Sequence, residues 1–159
     1  MNKKRKATGF TIIEVVLVLA IAGLIFLMVF IALPALQRAQ RDTQRKNDLS
    51  RAVTALTSYT SNNRGALPTD TAAGWNAFTT SYLRVGGDMF ADPTGANYIW
   101  VTPAVPATVA TSTFSSTTPN ISVTVGAVCD GEILTIGQGA RKVAFQMKLE
   151  GGGITCASN

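Results

Sequence analysis

The chain has 159 residues, 47% of them hydrophobic and 14% charged, so it can hold one domain of ordinary size plus a membrane segment, and two separate cores are not expected. Its formal net charge of +5 sits at the start: with Lys3, Lys4, Arg5 and Lys6 set aside, ten basic residues face nine acidic ones, which argues against a broad nucleic-acid-binding surface. There is no His, and the only two cysteines, Cys129 and Cys156, fall late in the chain, which leaves no basis for histidine acid–base chemistry or for a C-x-x-C redox motif.

The basic leader runs into a Gly9-Phe10 junction and then an apolar stretch whose single carboxylate is Glu14. A charge inside a bilayer costs on the order of 3 kcal/mol, so such residues usually have a partner and a task. From Val15 to Leu36 nothing is charged or strongly polar, and these 22 residues span about 33 Å as a helix, enough to cross a hydrocarbon core of about 30 Å. The run continues into a polar helix instead of ending at a small-x-small site, so cleavage after it is not expected. Arg38, Arg41, Arg45 and Lys46 come after the run, so basic residues flank it on both sides; the dense leader and the late Cys pair favour an N-terminus inside and a C-terminus outside.

These residues resemble the class III signal of type IV pilins and their relatives: a short basic leader ending in Gly9, then Phe10-Thr11, then Glu14 at the fifth position counted from Phe10, then an apolar helix. The resemblance implies cleavage between Gly9 and Phe10 by a membrane-embedded prepilin peptidase, methylation of the new Phe10 amine, and a docking role for Glu14 against the terminal amine of a neighbouring subunit. Independently, Glu14 lies about one turn from that terminus, where an intermolecular partner would relieve a buried charge and fix register. The alternative is a Glu snorkelling to the inner headgroups. Gly23 and Pro34 weaken the helix, by about 1 and 3 kcal/mol. The resemblance suggests local unwinding in a filament at this helix break, and a simple kink is the bland alternative.

Beyond the span, Leu49, Ala52, Val53, Leu56 and Tyr59 form one apolar stripe, with Arg38, Arg41, Asp42, Arg45, Asp48 and Arg51 expected on other, solvated or subunit-facing surfaces. Asp42 and Lys46 are spaced as an i, i+4 ion pair. The helix is expected from Phe10 to about Asn62, with Gly65 as its C-terminal cap and Pro68 beyond it. The expected organisation is a leader over 1–9, a transmembrane and assembly segment over 10–36, an amphipathic helix over 37–62, and a head over 63–159.

A short helix is expected between Thr71 and Leu83, then a turn at Asp92-Pro93-Thr94-Gly95 and a strand at "NYIWV". The Thr-, Ser- and Pro-rich stretch from Thr102 to Asn120 reads as a surface loop, with weak O-glycan and Asn120-Ile121-Ser122 acceptor signals. Alternation over Ile121–Val125, "EILTI" and Val143–Leu149 predicts antiparallel strands, with a hairpin turn at "GQGARK". The fold class expected is α+β: a long N-terminal helix packed on an antiparallel sheet. Cys129 and Cys156 read better as a disulfide in an oxidising compartment than as reduced thiols, and in pilins an analogous loop closes the C-terminal region.

Three functions are compatible with these residues. The first is a pilin polymerised into a surface filament for adhesion, twitching or DNA uptake. Its partners would be further copies of itself, prepilin peptidase, membrane lipid before assembly and, indirectly, an assembly platform protein and motor ATPase. The second is a pseudopilin of a secretion system, suggested by the DP-x-G turn and opposed by the Cys pair. The third is an uncut single-pass anchor for an extracellular binding domain. No enzyme, cofactor or metal arrangement is indicated, and nucleic acid is a partner without specific support.

Overall fold

The computed structural model describes residues 9–102 and 118–159. The basic leader through residue 8 and most of the Thr/Ser/Pro-rich stretch lie outside the described residues. The chain divides into two units, 1–37 and 38–159, and the boundary falls inside helix α1, Ile12–Asn62.

In the first unit α1 is long and apolar enough to cross a membrane, with a mean hydropathy of 3.2 over its most apolar window and none of that window buried. Valine, leucine, isoleucine and phenylalanine side chains point outward all round it, as for a helix that meets an apolar solvent on every side. The helix begins at Ile12, two residues later than the periodicity suggests, because Thr11 takes the N-cap position. It is continuous through Gly23 and Pro34.

In the second unit α1 lays Leu49, Ala52 and Leu56, all fully buried, on the head core, with Val53 and Tyr59 half-buried beside them. Its end is capped by Gly65 as expected, at φ 83° with its N–H bonded to the Thr60 carbonyl at 2.7 Å, and Arg64 before it is also left-handed, at φ 55°. Next comes α2, Ala72–Phe78, capped by the Thr71 hydroxyl accepting from the Gly74 N–H at 3.1 Å. Gly74 is obligatory in this setting, since a Cβ there would lie 2.2 Å from the Thr69 carbonyl oxygen. A π-helical turn, Thr79–Leu83, prolongs α2.

Among the described residues the head has six strands: β1 Ile99–Val101, β2 Asn120–Val125, β3 Ala127–Asp130, β4 Ile133–Ile136, β5 Val143–Lys148 and β6 Ile154–Ser158. They form a four-stranded sheet in the order β1-β2-β5-β6 and a separate β3-β4 hairpin. This is the expected α+β architecture of a long helix on an antiparallel-rich sheet, with differences in detail. β1 and β2 pair in parallel, Trp100 opposite Ile121, because a long connection separates them. The "GQGARK" segment joins two sheets and is no hairpin, since β4 pairs with β3 while β5 pairs with β2 and β6. Strand β6 goes beyond the strands that alternation predicts. The core between helix and sheet is aromatic: Trp75, Phe78, Phe90, Trp100 and Phe145 meet one another at centroid distances from 5.5 to 6.4 Å.

Candidate functional site

Gly9 and Phe10 precede the helix, both exposed, with Phe10 at 90%. Among the described residues a Cβ built on Gly9 meets nothing within 4 Å, so none of their packing requires glycine there. The same is true of Gly23. Glu14 is fixed locally. The Thr11 N–H and hydroxyl both donate to Glu14 Oε2 at 2.8 Å, and the Glu14 N–H donates to Thr11 Oγ1 at 3.4 Å. This is a capping box, T-x-x-E, a local role that its spacing signals and that an intermolecular reading of the carboxylate misses. It gives Glu14 an intramolecular partner near the start of the helix, and Oε1 keeps its own lone pairs.

The second unit contains a cluster that sequence reasoning placed on the wrong face. Arg45 is fully buried, as are Asp42, Asp48 and Asp92 to within 8%. Arg45 lies four residues before Leu49 and seven before Ala52, so it continues the apolar stripe, and burying it requires partners. Its Nε and Nη2 donate to the two oxygens of Asp92 at 2.6 and 3.0 Å, and its Nη1 donates to Asp42 at 2.8 Å and Glu150 at 3.3 Å. Burial opposes the guanidinium charge, but Asp92 and Asp42 outweigh that and raise its pKa.

Asp42 makes no ion pair with Lys46; it accepts from the Glu150 and Gly151 N–H groups at 2.9 and 2.8 Å. Asp92 also holds its own turn, accepting from the Thr94 N–H and hydroxyl. Burial would raise its pKa, but the bonds from Arg45 and Thr94 prevail and lower it. Glu150 receives both Nε and Nη2 of Arg41, which lowers its pKa. Asp48 accepts from the Tyr98 hydroxyl at 2.9 Å; there burial prevails and raises the carboxyl, and burial beside that carboxylate raises the phenol. One guanidinium thus ties α1 to the Asp92–Gly95 turn and to the loop after β5.

Cys129 in β3 and Cys156 in β6 are joined as a disulfide with Cα atoms 5.8 Å apart, fastening the β3-β4 hairpin to the main sheet. Among the described residues no group of three or more His, Cys, Asp or Glu side chains is arranged to hold a metal ion.

A family model described as the prokaryotic N-terminal methylation motif matches residues 4–30. The matched span contains Gly9, Phe10, Glu14 and Gly23, and ends before Pro34. No curated protein and no solved structure matches the chain.

Proposed function

We propose that this chain is a type IV pilin: a structural subunit cut between Gly9 and Phe10 by a prepilin peptidase, methylated on the Phe10 amine, and polymerised through α1 into a surface filament. The observation that carries the reading is the methylation-motif match over residues 4–30, the class III signal of type IV pilins, leading into an apolar helix. The open space around Gly9 among the described residues supports it, because a glycine that their packing does not need fits one demanded by an external binding cleft. Before assembly residues 15–36 hold the precursor in the cytoplasmic membrane with its N-terminus inside; afterwards the head, 63–159, lies at the cell surface. Glu14 pairs with the Phe10 amine of a neighbouring copy, and the helix loosens near Gly23 and Pro34 in the filament. The role is structural and non-enzymatic.

A pseudopilin is the second reading, favoured by the Asp92-Pro93-Thr94-Gly95 turn, whose Gly95 N–H donates to the Asp92 carbonyl at 2.8 Å. Both readings share the peptidase. They are tested by replacing Gly9 with Val and measuring leader length on membranes. The expected result is accumulation of the uncut precursor, and normal processing of the variant would contradict the proposal.

A further inference from the structure

The head carries charges of opposite sign at its two ends. At the C-terminal end of α1, Arg64, Arg141 and Lys142 surround a concavity of about 460 Å³ with Gly65 and Asn159; Lys142 Nζ donates to the Asn159 main-chain oxygen at 2.9 Å, and among the described residues no carboxylate side chain lines the concavity. Arg141 lies flat over Gly65, where a Cβ would come within 3.2 Å of its guanidinium carbon. All three cations are exposed. At the other end, the turn of the β3-β4 hairpin is Asp130-Gly131-Glu132, also exposed, flanked by Ile133 at 73% exposure. The Glu132 carbonyl accepts from Gln146 near the far end of β5, and its carboxylate lies beside Gly153, next to the loop that Asp42 holds. Strand β5 begins at Val143, next to the basic cluster, and runs about 17 Å to Lys148 near the acidic turn.

We propose that the Arg64/Arg141/Lys142 concavity receives the Asp130–Glu132 turn of a second copy. Complementary patches at opposite ends of one body make a heterologous contact, which propagates from copy to copy instead of closing as a two-fold dimer. A polyanion is the less favoured occupant, since among the described residues no aromatic side chain lines the concavity to stack on bases. Exposed ion pairs contribute little each, so the contact selects register and orientation between heads while apolar burial elsewhere supplies the bulk of cohesion. The inference deepens the filament reading and rests on it for its setting.

The test uses membranes and sheared surface material from cells making the full chain, treated with a water-soluble carbodiimide, which joins an amine to a carboxylate without a spacer. Within one chain Lys142 and Glu132 are too far apart for such a bond, so a peptide joining Lys142 to Asp130 or Glu132 reports contact between copies. The expected result is covalent dimers and higher ladders carrying that peptide, strongly reduced by high salt. Arg141→Glu with Lys142→Glu, or Asp130→Lys with Glu132→Lys, should each abolish it, and coexpressing the two chains should restore a crosslink at the same positions. Crosslinks mapping elsewhere, no restoration on coexpression, or loss of the crosslink on nuclease treatment would overturn the proposal. The N-terminal mass read in the same sample separates the two claims: a processed chain without the crosslink sinks only the head contact, and an unprocessed chain sinks the pilin reading.

Discussion

Arg45 shows how much one residue can organise. It holds Asp92 and Asp42 in a buried site, and removing it would leave two buried carboxylates without their cation. Arg45→Ala is therefore expected to lower head stability by about 3 to 5 kcal/mol, the usual cost of breaking a buried pair from one side, whereas Arg38→Ala, at the rim, should cost under about 1 kcal/mol. Thermal unfolding of the full chain in detergent, followed by near-UV circular dichroism, measures both. Glu14 acts at a different level. Glu14→Ala is expected to leave cleavage largely intact and to impair filament assembly; abundant normal filaments from the variant would remove the register argument. Gly9, by contrast, should matter for processing and for nothing inside the fold.

At the level of elements, the ion-pair network makes the joint between α1, the Asp92 turn and the β5–β6 loop sensitive to acid. Asp92 and Glu150 titrate below their ordinary values of 3.8 and 4.5, so their stabilisation is present above those values and is lost as pH falls through the lower folded ones. Asp48 has the opposite sign: its carboxyl is raised by burial, so its protonation favours the fold and offsets part of the loss. The melting temperature of the head should be nearly flat from about pH 7 to 5 and fall below about pH 4. A melting temperature that rises steadily into acid would show that Asp48 dominates. The disulfide encloses β4 and β5, and removing it with Cys129→Ser and Cys156→Ser together should cost about 3 to 4 kcal/mol by loop closure, with the β3-β4 hairpin the first part to lose amide protection.

Across the whole molecule, legibility in the chain depends on whether the signal is local. The helix core face is legible because Leu49, Ala52 and Leu56 recur at steps of three and four, and burial follows that period. Arg45 and Asp42 lie on the same face, but their charge suggests solvent; only the carboxylates brought by the turn at Asp92 and the loop at Glu150, 47 and 105 residues away from Arg45, offset the cost of burying them. The Thr11-x-x-Glu14 box is local and legible, yet the membrane setting directs attention to an intermolecular partner for the same carboxylate. Strand β6 has a short, weakly apolar sequence, Ile154-Thr155-Cys156-Ala157-Ser158, and gains its conformation from β5. The parallel pairing of β1 with β2 depends on a long connection that no periodicity reports. The N-terminal segment is the most legible part, since its junction, carboxylate spacing and apolar run lie within about thirty residues, and the family model matches the same stretch.

The central claim is that this chain is cut at Gly9-Phe10 and built into a filament. The most direct measurement is the intact mass and N-terminal sequence of the protein in filaments sheared from cells that make it, with the membrane fraction measured in parallel. The account predicts a sheared fraction whose chain begins at a methylated Phe10. A chain that keeps its basic leader in every fraction, or a sheared fraction without this protein, would contradict it.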